Sequence, residues 1–411
     1  MAFFIVLFYH FEACNSKTSS SNFIQVQDGH FVLHDTVYTF KGCNYWYGGY
    51  LYSDSMHKGK ERLRQELDFL ENKKIKNIRV FICSEGDDSY PYRIYPSLQS
   101  QQGVYHEELL KGFDYLLVEA AKRDMKIVFV LNNNWEWSGG FGQYIEWQTK
   151  QKPPFPKTAA WDWEAYCQYI SKFYTCDSCM YYANAWIKHI VNRTNTFNQL
   201  KYSEDPTIMS WELANEPRPM DSSSIEAYQH WIQNTSALIK SIDKNHLVTI
   251  GTEGIISCFY SETIYKNIHA YATIDYATLH LWPKTWQWYN GESKHAISDT
   301  TLEKTKQYIA LHTTLTKHIK KPLVIEEFGM HRDGNSFSPQ ASTYNREEYF
   351  RYVYQIGQQY NIAGYNFWGF AGMPINVSEN KYMQKGMAYS ADPPQEEQGL
   401  YSVFMSDSTC F

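Results

Sequence analysis

The feature that most constrains this chain is an alternation. Eight short, largely apolar runs are separated by stretches with helical spacing: Tyr38–Tyr45, Asn77–Cys83, Lys126–Leu131, Thr207–Leu213, Leu247–Thr252, Tyr276–Leu281, Pro322–Glu327 and Gly364–Trp368. Helical patterns fall near 59–74, 105–124, 162–192, 223–242, 301–319 and 345–360. Leu63, Leu67 and Leu70, for example, share one face of such a helix. The segment between the fifth and sixth runs is poorly marked. Parallel strands covered on both faces are continuous apolar runs, and Lys126-Ile127-Val128-Phe129-Val130-Leu131 has that form. Eight strand–helix units predict an α/β fold, a (β/α)8 TIM barrel. Ahead of it, Phe23–Thr39 reads as a β-hairpin turning at Asp28-Gly29. A length of 411 residues suggests two or three domains at about 150 residues each. Barrels run to ~400 residues as one domain, however, and no repeat or low-complexity linker divides this chain. The predicted organisation is a leader over 1–22 and one barrel domain with long βα loops over 23–411.

The leader is expected to be signal- or lipoprotein-like, followed by a disordered tether. Its apolar run, Ala2–Tyr9, suits the apolar part of a signal peptide, although no Lys or Arg precedes it. The run is far short of the ~20 residues that span a bilayer, so no membrane span is expected. Cys14 before the polar stretch Asn15–Ser21 is a candidate lipid anchor, although Phe11 and Glu12 fit that pattern poorly. A plain cleaved signal or a disordered tail is the alternative, and the expected location is secreted or cell-surface. Cys176 and Cys179 form either a local disulfide or two thiols, because no second pair sits at zinc-ligand spacing. The histidines show no metal-binding pattern, so neither metal nor cofactor is expected. The net charge of −6 offers no basic surplus to a phosphate backbone, which argues against nucleic acid. Asn192, Asn234 and Asn376 open glycosylation sequons that matter only in a eukaryotic host. The chain is expected to be a monomer.

The chain carries 23 Phe, 34 Tyr and 13 Trp, more flat surface than a core of this size needs. Either many rings are buried at a cost in volume, or some face a ligand that favours flat surfaces. In a barrel the site forms where the strands end. The second run ends Asn77-Ile78-Arg79-Val80-Phe81, and the third runs into Asn132-Asn133-Asn134-Trp135-Glu136-Trp137. The fourth ends Trp211-Glu212-Leu213-Ala214-Asn215-Glu216-Pro217, the sixth Leu279-His280-Leu281-Trp282-Pro283. The seventh ends Val324-Ile325-Glu326-Glu327-Phe328-Gly329, the eighth Tyr365-Asn366-Phe367-Trp368-Gly369. A barrel brings these ends to one mouth. Two carboxylates across a mouth suit glycosidic cleavage: one protonates the leaving oxygen, the other attacks the anomeric carbon or activates water.

The motif Trp211–Pro217 with Glu326-Glu327-Phe328-Gly329 resembles glycoside hydrolase family 5, and most closely its β-mannanase branch. Asn132–Gly140, Glu204–Ser210, His280-Leu281-Trp282-Pro283 and the hairpin leading to Gly42-Cys43-Asn44-Tyr45-Trp46 match the same branch. The resemblance covers roughly residues 23–375. It implies that Glu216 is the general acid/base and Glu327 the nucleophile. Arg79 would hold Glu327 charged by ion pairing, Asn215 would bind the sugar 2-hydroxyl, and His280 would tune Glu216. Trp368 would form the floor under the sugar. The family usually has Tyr two residues after this His. Here Trp282 stands there, and an indole N–H donates but does not accept. The implied activity is retaining hydrolysis of internal β-1,4 bonds in mannan, galactomannan or glucomannan. The rivals are an exo-acting β-mannosidase, a β-1,4-glucanase and a catalytically dead carbohydrate-binding barrel.

Trp46, Trp135, Trp137, Trp282, Trp286 and Trp288 cluster near predicted βα loops, and about half are expected to line sugar subsites, since rigid rings bind at low entropic cost. Trp46 and Trp135 are taken as substrate-binding. So is Glu136, with a loop-anchoring salt bridge as the equal alternative. Glu212 is expected to face away from the site, by strand alternation. Ser138–Trp161 reads as a long loop forming a cleft wall; if it closes one end, the enzyme acts from chain ends. Tyr90, Tyr92 and Tyr95 are placed at the cleft edge.

Overall fold

The computed structural model describes residues 21–155, 161–289, 297–375 and 382–411. The apolar run Ala2–Tyr9, Cys14 and the Asn376 sequon lie outside these residues. All eight apolar runs form strands, each shortened at its ends: β1 (Phe40–Asn44), β2 (Asn77–Phe81), β3 (Lys126–Val130), β4 (Ile208–Glu212), β5 (Leu247–Thr249), β6 (Ala277–Leu281), β7 (Leu323–Phe328) and β8 (Gly364–Phe367). They pair in parallel in the order β5-β4-β3-β2-β1-β8-β7-β6. The last gap, between β5 and β6, is bridged by single bonds. The Asp275 amide donates to the Val248 carbonyl at 2.8 Å, and the His280 amide to that of Glu253 at 3.1 Å. The chain is thus a nearly closed (β/α)8 barrel.

Strand β5 is short because Gly251 turns the chain at φ +87°, and a Cβ there would lie 2.1 Å from the Ala214 carbonyl oxygen. Its successor helix, invisible in the pattern, is α7 (Glu262–His269), capped by the Ser261 hydroxyl, which accepts from the Ile264 amide at 3.2 Å. The remaining helices are α1 (Gly59–Asn72), α2 (Glu107–Ala121), α3 (Gly140–Thr149), α4 (Trp163–Ile170), α5 (Asp177–Val191), α6 (Ile225–Ile242), α8 (Asp299–Ile319) and α9 (Tyr344–Gln359). Two expectations change here. The single pattern over 162–192 is two helices, with the Cys176–Cys179 disulfide at the start of α5. The loop predicted over 138–161 contains α3. Its glycines serve close packing: a Cβ on Gly142 would lie 1.8 Å from Glu136 Oε1.

The predicted hairpin is present. Gln25–Gln27 pairs with His30–Leu33 around Asp28 and Gly29, both at positive φ. It delivers Ile24 and Phe31 onto Phe40, Val128, Met209, Leu247, Tyr276 and Val324, forming an apolar plug in the N-terminal end of the barrel. Burying a ring such as Phe31 contributes about 2–3 kcal/mol. The opposite end of the barrel is left for polar side chains. Among the described residues no helix is long and apolar enough to cross a membrane.

Candidate active site

Arg79, near the end of β2, is fully buried inside the barrel. Its guanidinium forms a fork with Glu212, Nη2 donating at 2.5 Å and Nε at 2.7 Å. It also donates to Asn44 Oδ1 and Asn215 Oδ1, both at 2.9 Å, and to Glu327 Oε1. Such planar, bidentate pairing is what Arg, not Lys, supplies. Glu212 therefore does not face away as expected. Trp211 takes the outer face and donates from Nε1 to Asp243 at 2.7 Å, so the alternation points Glu212 inward. Glu326 reaches the same cluster by another route. β7 shifts register against β6 between Ile325 and Glu327, and a bulge of this kind lets successive side chains reach one site. Glu326 Oε2 thus lies 3.9 Å from Arg79 Nε, beside Glu327.

Glu216 stands beyond β4 at φ 51°. Its Oε2 accepts from Trp135 Nε1 at 2.5 Å, and its Oε1 lies 2.7 Å from His280 Nδ1. Glu327 Oε2 accepts from Trp282 Nε1 at 3.2 Å, so the substituted indole does keep contact, as a donor. One oxygen of Glu216 and one of Glu327 lie within 4.8 Å of each other, with a His280 nitrogen at the same range. That triad has the residue types of a metal site. The donors already on these oxygens (Arg79, Trp135 and Trp282) make it read instead as a hydrogen-bond network.

Both carboxyls are lifted above the ordinary range, first by burial. Arg218, Trp135 and Arg79 oppose the rise at Glu216; Arg79 opposes it at Glu327, while the charge of Glu216 adds to it. The two titrate as a pair. Burial, and then Arg79, push His280 down to about 3, so its ring is neutral. A neutral imidazole with its proton on Nε2 accepts at Nδ1, which gives a protonated Glu216 a partner. Glu327 receives N–H donors on both oxygens, and His280 Nδ1 lies farther from it, at 3.4 Å, than from Glu216. Glu326 is raised far above the usual carboxylate range by burial and then by the charge of Glu212.

Glu216 and Glu327 open into a cavity of ≈ 610 Å³ that is also lined by Asn215, Trp135, Trp282 and Trp368. Trp137, Trp286 and Trp288 contribute further rings. Other predicted site residues are placed elsewhere. Arg79 and His280 lie wholly buried behind the carboxylates. Trp46 is core, its Nε1 donating to the Ala391 carbonyl at 2.8 Å. Glu136 is buried in an ion pair with Arg93 at 2.5 Å, the loop anchor that was its alternative reading. Several lining residues escaped sequence reasoning, among them Glu253 and Arg218. Glu253 follows β5, the strand whose end carried no recognised motif, and Arg218 sits two residues after Glu216. They form a bidentate pair at 2.6 and 2.7 Å, with the guanidinium 5.2 Å from the Trp135 ring. The C-terminal segment adds Gln395 and Tyr401.

Residues 21–410 match the family model described as GH family 5 beta-mannosidase-like. The chain is 29% identical over 405 residues to mannan endo-1,4-beta-mannosidase 4 of Solanum lycopersicum, covering 93% of this chain and 92% of that protein. The crystal structure of a glycoside hydrolase family 5 mannosidase from Rhizomucor miehei superposes with a TM-score of 0.85 at 32% identity, covering 95% of each chain. The endo-1,4-beta-mannanase of the same organism superposes with a TM-score of 0.69 at 25% identity, over 94% of this chain and 97% of that one. The chain belongs to glycoside hydrolase family 5 and is a glycosidase.

Proposed function

We propose that this glycosidase is a retaining, exo-acting β-mannosidase that removes the terminal mannose from β-1,4-linked manno-oligosaccharides. The observation that carries the exo reading is the one-sided extension of the cavity. Beyond the two carboxylates it runs past Trp135, Trp163, Arg218 and Glu253, on the side of Glu216. Glu216 is the acid in this reading, so that side receives the leaving group. Among the described residues, none from the loops after β1 and β2 lines it. There Trp46 packs between Trp137 and Tyr389, at ring distances of 5.8 Å on both sides. A cavity that extends on the acid's side and takes no lining from the loops after β1 and β2 is the shape expected of an enzyme that works from the chain end.

In the first step a Glu327 oxygen attacks the anomeric carbon and the glycosidic bond breaks. Glu216 gives its proton to the departing oxygen. In the second step Glu216 takes a proton from water, the water oxygen attacks the same carbon, and the ester to Glu327 breaks. The separation of the carboxylate oxygens, within 4.8 Å, supports retention, because inverting pairs stand about 6.5–9.5 Å apart to admit a water. Arg79 keeps Glu327 charged and aimed, Asn215 meets the 2-hydroxyl, and Trp368 supports the ring. Trp135 and His280 hold the Glu216 carboxyl in place.

Internal cleavage of mannan is the second reading, favoured by the name of the tomato relative. Sizing the products of mannohexaose separates the two. Mannose with mannopentaose as the first products supports the exo reading. An early mixture of mannobiose, mannotriose and mannotetraose rejects it.

A further inference from the structure

We propose that a second cavity on the same face of the barrel is a separate carbohydrate-binding site, holding another stretch of the neutral β-mannan chain. This rests on the reading of the enzyme as mannan-active. The cavity, ≈ 530 Å³, is formed by the loops after β1 and β2 and by the C-terminal segment around Met383–Tyr389. It shares no lining residue with the catalytic cavity. The wall between them is built of rings: Trp137 lines the catalytic side, Tyr389 the other, and Trp46 is buried between.

Three properties of the lining select the ligand. Tyr90, Tyr92 and Tyr95, together with Tyr389, give it aromatic walls, and Tyr95 is 41% exposed; the Tyr90 and Tyr389 hydroxyls are already donated, to Glu146 and to the Tyr95 carbonyl. Tyrosine combines a large rigid face with a polar tip, which suits a pyranose ring that presents C–H groups on one face and hydroxyls at its rim. Its charges are few. Asp54 lies 2.9 Å from His57 Nδ1, Arg93 is held by Glu136, and Lys385 sits 4.4 Å above the Tyr95 ring. Lys385 adds one positive charge at the rim, which does not make the lining a site for a multiply charged ligand. The site is also fixed in shape, since the Tyr389 hydroxyl donates to the Tyr95 carbonyl at 2.7 Å and joins the C-terminal segment to the β2 loop. A second hold on the same polymer raises the effective concentration of chain at the catalytic mouth.

The test uses the full chain with Glu327→Gln as background, so that polymer is not consumed, and reads retardation in native gels containing soluble galactomannan. Adding Tyr95→Ala is expected to weaken retardation about tenfold, the loss of one stacked aromatic anchor, while Tyr95→Phe keeps it. In the otherwise wild-type enzyme, Tyr95→Ala should leave hydrolysis of an aryl β-mannoside within about twofold, because that substrate fills only the catalytic cavity. Unchanged retardation of the Tyr95→Ala protein overturns the second site and leaves the catalytic reading intact. A parallel fall in aryl-mannoside turnover overturns its separateness. A wild-type enzyme that cleaves no β-mannoside overturns the reading beneath it.

Discussion

The two ends of the barrel interior are made by the same eight strands and are opposites. The N-terminal end is packed with Phe31, Phe40, Val128, Met209, Leu247 and Val324, and its cohesion is that of close-packed side chains. The C-terminal end buries Arg79, Glu212, Glu326, Glu327 and His280 within a few ångströms of one another. Burying the charges among these polar groups is costly, and pairing recovers the cost only when nearly every atom has a partner. A barrel can therefore keep its stability at one end and hold its chemistry under electrostatic tension at the other. The largest effect expected from breaking this division is Glu327→Gln. It keeps the shape of the mouth and removes the nucleophile, so turnover should fall at least about 10⁴-fold while the melting temperature and ligand binding stay near wild type. More than a percent of residual turnover would remove Glu327 from its role. Glu216→Gln should cost less, about 10²–10⁴-fold on oligosaccharides, and less still on an aryl mannoside whose leaving group needs no proton.

The complementary break is at the plugged end. Phe31→Ala should cost about 3–5 kcal/mol of stability, read from a shifted urea midpoint. The kcat/KM of the folded fraction should stay unchanged. A loss of specific activity in step with stability would mean that the two ends are one cooperative unit.

The division also explains what could be read from sequence. The plug and the strands are written in local patterns: a continuous apolar run such as Lys126–Leu131 and a turn at Asp28-Gly29. The carboxylates were legible because each closes a recognisable strand end. The rest depends on contacts between distant segments. Glu253 has no motif around it and gains meaning only by meeting Arg218 across the mouth. Trp46 and Trp135 are both tryptophans near predicted loops; only packing sends one into the core and the other to Glu216. The orientation of Glu326 was hidden by a bulge that no residue spacing announces.

The charged end can be tuned without dismantling it, through pH. The active form needs Glu216 protonated and Glu327 ionised, so kcat/KM should be bell-shaped, with limbs that belong to the coupled pair. Activity is lost as pH falls and Glu327 gains a proton, and as pH rises and Glu216 loses its own. The charge of Glu212 is one of the influences that raise Glu327, and Glu212 shares the only guanidinium in contact with Glu327 among the described residues. Glu212→Gln should therefore move the acidic limb to lower pH and leave the basic limb in place. An acidic limb that stays put would show that Arg79 is not divided between the two carboxylates.

The smallest change tests the finest feature of the mouth. Trp282 donates a single N–H to Glu327 Oε2 at 3.2 Å, and its ring also packs edge-on against Trp368 and Tyr401, at 5.9 and 5.2 Å. Trp282→Phe keeps an aromatic ring and deletes the donor. A hydrogen bond to a charged group contributes about 1.5–3 kcal/mol, and this one is long, so a loss near the lower bound is expected, about tenfold in kcat. The lost donor leaves the Glu327 charge less stabilised, so the acidic limb should move to higher pH, opposite to the shift from Glu212→Gln. Trp282→Tyr restores a hydroxyl donor at the same position and should recover part of the loss. Should Phe and Tyr behave alike, the indole serves by packing, and Arg79 alone governs the nucleophile.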